Sequence, residues 1–167
     1  MTEAWLNGPV PAVEPLLQPV AHALIQVGAD VPTAVAGLTP AQLWARPGGA
    51  ASIGFHLIHL AGSLDRLLTY ARGAALDDGQ RQAAAAERVA AGPEPGTSAL
   101  LAGLARALEM SLEQVRKTPA ASLLEPRPVG RAAAPSTVLG LLFHAAEHAT
   151  RHAGQLITTA KIVRHLP

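Results

Sequence analysis

The last long segment of the chain, residues 136–164 (STVLGLLFHAAEHATRHAGQLITTAKIVR), carries three histidines at four-residue intervals and contains no proline. Its apolar residues recur every three or four positions, which predicts an amphipathic helix. Because a residue advances about 100° around a helix, His144, His148 and His152 should form a row on one face. The same side carries mostly leucine, alanine and valine, so it should pack inward, where an imidazole without a partner is costly. A bound metal ion would account for histidines in such a place.

The composition predicts an all-helical fold. Apolar residues make up 49% of the 167-residue chain and charged residues only 15%, which argues against disorder. Aromatic residues are only 3%, so the core must consist mainly of alanine, leucine and valine, and alanine and leucine are strong helix formers. No segment shows the alternation of a strand. We expect one domain over residues 1–167, with a loose, proline-rich start at residues 1–12.

Four long amphipathic helices are expected, and they imply a four-helix bundle. Thr39-Pro40 predicts the start of a short helix, and Ser52 and Ser136 are the predicted N-caps of the second and fourth long helices. A small-residue-rich excursion at 74–96, with a short helix around 80–90, is the segment predicted to move as a flap. The connection between the first long helix and Thr39-Pro40 is expected at residues 28–39. The predicted long helices are residues 13–27, 52–72, 97–117 and 136–164.

Charge and hydropathy exclude several classes of partner. The formal net charge is +1 and the basic residues are scattered, so no nucleic-acid partner is expected. No apolar run approaches the roughly 18 residues of a membrane span, and the N-terminus lacks the pattern of a signal peptide. We therefore predict a cytoplasmic protein without membrane association. Because the chain has no cysteine, any metal site must use histidine and carboxylate ligands.

The second long helix carries two more histidines, His56 and His59, on its predicted inward side. Two histidines four residues apart on a helix can bind one ion, and in bundles the remaining ligands come from a facing helix. His144 with His148, or His148 with His152, could be that pair. Three neutral imidazoles leave coordination positions open, as catalytic sites do, and Zn or Ni is the first choice for such donors. The alternative is that all are core histidines with ordinary hydrogen bonds.

Two phrases, SIGFHLIHLAGSLDRLL at 52–68 and FHAAEHATRHAGQL at 143–156, resemble the hallmark segments of the DinB-like (DinB/YfiT) superfamily of metal-dependent enzymes. The preceding phrase GLTPAQLWARPGG resembles the family's stretch before its second helix. The resemblance implies a four-helix bundle with up-down-down-up connectivity. It also implies three metal ligands, His59 from the second helix and the pair His148 and His152 before a Gly-Gln dipeptide.

Three further residues are candidates for supporting roles. His144 and His56 each lie one turn from an implied ligand, so they could be proton shuttles, hydrogen-bond partners of a substrate, or core histidines satisfied by serine or backbone groups. Gln155 could hydrogen-bond a ligand imidazole and fix its orientation, or it could have a packing role. Helical geometry places Glu147 away from the site, so it is not a candidate ligand or base.

The resemblance also directs the functional prediction. Characterised members of the family include S-transferases that use bacillithiol or mycothiol, and a maleylpyruvate isomerase. We therefore expect a divalent-metal-dependent, thiol-dependent S-transferase acting on a small electrophile, with a low-molecular-weight thiol as co-substrate. The alternatives are a metal-hydroxide hydrolase of a small substrate, a non-enzymatic stress-related protein that binds a metal or small molecule, or a site that has decayed. Alanine-rich helix faces and the resemblance favour a homodimer.

Overall fold

The computed structural model describes residues 2–87 and 94–166, and within them the secondary structure is helical. The described residues contain no strand, only two isolated bridges in the loop that precedes the last helix. The all-α prediction is confirmed. The helices are α1 (Gln18–Val35), α2 (Pro40–Trp44), α3 (Ile53–Ala71), α4 (Asp78–Ala86), α5 (Thr97–Lys117) and α6 (Val138–Val163). Single 3-10 turns lie at Ala4–Asn7, Pro15–Leu17, Pro47–Gly49 and Ala120–Ser122.

The four long helices α1, α3, α5 and α6 pack around an aliphatic core. α6 packs against both α1 and α3, and α5 packs against the same two helices. Each long helix contributes fully buried side chains, for example Leu24, Leu60, Leu104 and Leu142. The direction of each helix, and with it the up-down-down-up connectivity, stays a prediction. None of the described helices combines the length and the apolar character that a bilayer crossing needs.

Helix α1 lies further along the chain than predicted. It begins at Gln18, after the 3-10 turn Pro15–Leu17, and runs to Val35, so the predicted span 13–27 was wrong. Most of the predicted connection at 28–39 is therefore helical. Pro32 lies inside the helix, although proline removes a backbone hydrogen bond there. Val31 and Val35, on either side of this proline, are both buried. The burial of these valines outweighs the unfavourable effect of proline within the helix.

The N-terminal residues are attached to α1, contrary to the loose segment predicted at 1–12. Ala4 is buried, and its backbone N–H donates to Gln26 Oε1 at 2.7 Å. The backbone N–H of Val10 donates to Gln18 Oε1 at 2.7 Å, and Gln18 Nε2 donates back to the Val10 carbonyl at 3.0 Å. Two glutamine side chains of α1 thus satisfy backbone groups that a free terminus would leave to water.

Capping residues mark where α3 and α6, the helices that carry the candidate ligands, begin. Ser52 accepts a hydrogen bond from the backbone N–H three residues later and caps α3, as predicted. The cap of α6 is Thr137, whose Oγ1 accepts from the Gly140 N–H at 3.0 Å, and not Ser136. The carbonyl of Ser136 instead accepts from the backbone N–H of Arg127. That bond holds Ser136 in the preceding loop and shifts the cap by one residue.

Helix α4 lies against α3. Asp77 and Gln80 form a capping box at its start, and Gln80 Nε2 also donates to Thr69 Oγ1 at 2.8 Å. Thr69 is buried beneath this contact. The predicted short helix at 80–90 is thus found at Asp78–Ala86, and its last three residues lie outside the described part of the chain. The predicted flap motion of 74–96 stays a prediction.

Candidate metal centre

Four histidines meet where α3 packs against α6. His56 and His59 are three residues apart on α3, and His148 and His152 are four apart on α6, so each pair spans about one helical turn. His59, His148 and His152 each offer one nitrogen to a group whose donor atoms all lie within 4.8 Å of one another. The structure therefore brings together the three histidines that the sequence singled out, in an arrangement that could hold a metal ion.

The spacing of these nitrogens suits a small divalent cation. His59 Nε2 lies 2.9 Å from His148 Nε2, and the His152 ring centroid is 4.5 Å from those of both His59 and His148. Bonds of about 2.05 Å at a tetrahedral angle put two ligand nitrogens about 3.3 Å apart. Only small side-chain shifts separate the observed cluster from such a geometry.

The second ring nitrogen of each of these three histidines has a different environment. His152 Nδ1 lies 3.0 Å from His56 Nδ1, and His59 Nδ1 lies 2.9 Å from Glu87 Oε2. His148 Nδ1 is buried and has no hydrogen-bond partner among the described residues. A histidine whose Nδ1–H donates outward keeps the Nε2 lone pair free for a metal. The partners of His59 and His152 permit that arrangement.

The cluster favours neutral imidazoles, the form that binds metals. Burial lowers the pKa of His56 to about 4, and the neighbouring His152 and His59 contribute to the same effect. Burial also lowers the pKa of His148 to about 4 and lowers that of His152, with nearby histidines and Arg151 adding to the shift. Imidazole donors without a thiolate suit several divalent ions, Zn and Ni among them. The residues present thus fit a divalent metal ion.

Glu87, which follows α4 directly, is a site residue that sequence reasoning missed. Its side chain is only 7% exposed, and its carboxylate accepts from His59 Nδ1 and from both terminal nitrogens of Arg66. Burial opposes ionisation of Glu87, but the hydrogen bonds from His59 and Arg66 outweigh it and hold its pKa below the ordinary value. The available signal was slight: Glu87 is the one carboxylate between residues 79 and 93.

His56 and His144 have different environments. His56 is buried, and its contact with His152 makes it a partner of an implied ligand. His144 is exposed; its ring centroid lies 5.5 Å from that of His148, and its Nδ1 is 3.5 Å from Glu147 Oε2. His144 therefore lies at the solvent-facing edge of the cluster.

Two polar residues of α6 lie outside the cluster. Glu147 pairs with Arg151 on the helix surface, in agreement with its predicted outward direction. Gln155 is exposed, and within the described part of the chain it makes no hydrogen bond to a ligand imidazole. The structure does not support its predicted role, since the Nδ1 atoms of His59 and His152 contact Glu87 and His56 instead.

Fold and site together define a helical-bundle protein with a candidate three-histidine metal centre. The sequence profile of the DinB superfamily matches residues 23–156, a span that includes His59, His148 and His152. The chain therefore belongs to the DinB superfamily. A comparison with curated proteins gives no significant match.

Proposed function

We propose that this protein is a divalent-metal-dependent enzyme that joins a low-molecular-weight thiol to a small electrophile. The observation that carries the proposal is the convergence of His59, His148 and His152 within 4.8 Å, in a group that includes no fourth side chain of the described residues. Sites with three protein ligands leave a position for an exogenous molecule and are typical of catalysis. A Zn or Ni ion held there would lower the pKa of a coordinated thiol or water and supply a nucleophile at neutral pH.

The side chains around the site have separate roles in this proposal. His59, His148 and His152 hold the ion, and burial keeps the latter two neutral. His144, at the exposed edge, receives the proton of the incoming thiol and passes it to solvent. The thiol sulfur forms a bond with the electrophilic carbon, and the bond from that carbon to its leaving group breaks with its electron pair. The ring of Phe55, parallel to His59 at 5.5 Å, screens one side of the site.

Metal content is the first test. The purified protein is stripped with a chelator, incubated with Zn or Ni, desalted and analysed by mass spectrometry. We expect about one ion per chain, because three preformed nitrogen donors bind such ions tightly. A content below roughly a tenth of an ion per chain after reconstitution would refute every metal-based function for this protein.

Ligand variants test the site itself. His148→Ala and His152→Ala should each abolish stoichiometric binding, since two remaining imidazoles form a poor site. Glu147→Ala is the matched control because it changes a half-buried neighbour on the same helix that pairs with Arg151, and it should keep the metal. Full metal content in His148→Ala would show that the ligand set is wrong.

Activity assays separate the proposed transferase from its alternatives. The metal-loaded protein is mixed with a chromogenic electrophile, with and without a glutathione-like thiol. Turnover that needs both thiol and metal supports the proposal, whereas turnover without thiol favours hydrolysis. Stoichiometric metal without turnover in either assay favours a binding protein. A cytoplasmic location, a role in stress and a homodimer stay predictions.

A further inference from the structure

A buried ion pair between Arg66 and Glu87 lies beside the candidate metal centre. Arg66 Nη1 donates to Glu87 Oε1 at 2.5 Å, and Nη2 donates to Oε2 at 3.0 Å. The side chains are 15% and 7% exposed, so both charges are largely removed from water. A charge buried in this way is strongly unfavourable unless it is paired and hydrogen-bonded. The third partner of the carboxylate is the His59 Nδ1 atom, at 2.9 Å.

The surface of α3 is shaped to receive this carboxylate. Gly62 lies between His59 and Arg66 on the helix, and a Cβ atom at that position would overlap Glu87 Oε1 and lie 2.8 Å from Arg66 Nη1. Real Cβ atoms do not approach other atoms so closely. Glycine is unfavourable within a helix, so its presence here is explained by the space that the ion pair occupies.

We propose that Glu87 is a positioning residue of the metal centre, and that Arg66 and Gly62 hold it in place. This inference rests on the proposed function only in taking His59 as a metal ligand. By accepting the Nδ1 proton of His59, Glu87 selects the tautomer whose Nε2 lone pair faces His148. A carboxylate that accepts from the outer nitrogen of a histidine also strengthens that histidine as a ligand. Glu87, the residue directly after α4, is thereby part of the proposed metal centre.

Metal affinity provides the first test. Zn affinity is measured by competition with a chromogenic chelator in the full-length wild-type protein and in Glu87→Ala and Glu87→Gln. Loss of such a partner weakens metal binding about 10- to 100-fold, which we expect for Glu87→Ala. Glu87→Gln should fall between that variant and wild type, because its amide oxygen still accepts from His59. Wild-type affinity in Glu87→Ala, or equal losses in the two variants, would overturn the inference.

Two further variants separate a specific effect from a general one. Glu113→Gln removes an exposed carboxylate that pairs with Lys117 on α5, and its Zn affinity should equal that of wild type. Gly62→Ala leaves Glu87 in the sequence but fills the space beside it, so it should weaken Zn binding in the same direction as Glu87→Ala. Unchanged affinity in Gly62→Ala would show that the niche on α3 has no part in holding the carboxylate.

A spectroscopic measurement detects the tautomer directly. Nitrogen-15 NMR of the imidazoles in chelator-treated protein should show His59 protonated at Nδ1 in wild type and a mixture of tautomers in Glu87→Ala. A residue with only a structural role would leave this signal unchanged. Wild-type protein that binds no Zn would refute the proposed function, and this inference with it. Wild-type Zn binding together with an unchanged tautomer in Glu87→Ala would refute the inference alone.

Discussion

The metal-free protein should become less stable as the pH is lowered from 7 to 5, because His56 is buried as a neutral imidazole. Burial and its histidine neighbours lower its pKa from 6.5 to about 4, and its side chain lies in a position with only 4% exposure. As the pH falls through 6.5, the unfolded chain takes up a proton at His56 while the folded chain does not. The unfolded state therefore binds more protons in this window, and the free energy of unfolding decreases with falling pH.

The magnitude follows from the two pKa values. A difference of about 2.5 pKa units corresponds to at most about 3.4 kcal/mol, approached only below pH 4. Between pH 7 and pH 5 the contribution of His56 is about 2 kcal/mol. His148, whose pKa is also lowered to about 4, acts in the same direction, but its partial exposure makes its contribution smaller. These losses are a large share of the stability of a typical domain.

Urea unfolding in the presence of a chelator, followed by circular dichroism at pH 7, 6 and 5, measures this effect. The His56→Gln variant keeps a neutral polar side chain that cannot titrate, so it should lose about 2 kcal/mol less than wild type over the same range. His165→Gln, a change at an exposed histidine near the C-terminus, is the control and should follow wild type. Parallel pH profiles for wild type and His56→Gln would refute the reasoning.

Three further predictions concern packing, capping and metal linkage. A Cβ on Gly54 would lie 2.6 Å from the Trp44 ring, so Gly54→Ala should lower the free energy of urea unfolding by about 1–3 kcal/mol. A Cβ on Gly103 would meet open space on α5, so Gly103→Ala should raise the free energy of urea unfolding by about 0.5–1 kcal/mol. Stabilisation by Gly54→Ala together with destabilisation by Gly103→Ala would contradict the packing described here. Thr137→Ala should lower the same free energy by about 1 kcal/mol through loss of the α6 cap, whereas an equal loss in Ser136→Ala would place the cap elsewhere. Zn at about 100 times its dissociation constant should raise the free energy of unfolding of the wild-type protein by about 2.7 kcal/mol. An equal increase in a ligand variant would contradict the ligand assignment.

The sequence predicted those features that local periodicity determines. Spacing placed three histidines on one face of the last helix and two on the inward side of α3, and the resemblance implied that His59, His148 and His152 are the ligands. These three converge because α3 and α6 pack together. The end of α1 could not be predicted in this way. Gly28 and Pro32 are both unfavourable within a helix, yet Val31 and Val35 beyond the glycine are buried and the helix continues to Val35.

Glu87 could not be predicted for a different reason. Its contact with His59 joins residues 28 positions apart through a connection with no periodic signal. Nothing in the alanine-rich run around it indicates which side of α3 it approaches. Gly62 and Arg66 provide the receiving surface, but glycine and arginine occur on helices for many unrelated reasons. A contact of this type depends on the path of a connection, which tertiary packing determines.

Glu87 sets the direction of the hydrogen bond between His59 and His148. Because Glu87 accepts from His59 Nδ1, the His59 Nε2 atom must act as the acceptor in its 2.9 Å contact with His148 Nε2. His148 then carries its proton on Nε2, and its buried Nδ1 is left as an acceptor without a partner among the described residues. To bind a metal through Nε2, His148 must move this proton to Nδ1 or release it, whereas the His59 Nε2 atom carries no proton in this tautomer. In the proposed metal centre the three histidines would therefore not be equivalent: Glu87 would prepare His59 for the ion, and His148 would be the residue at which metal and proton compete.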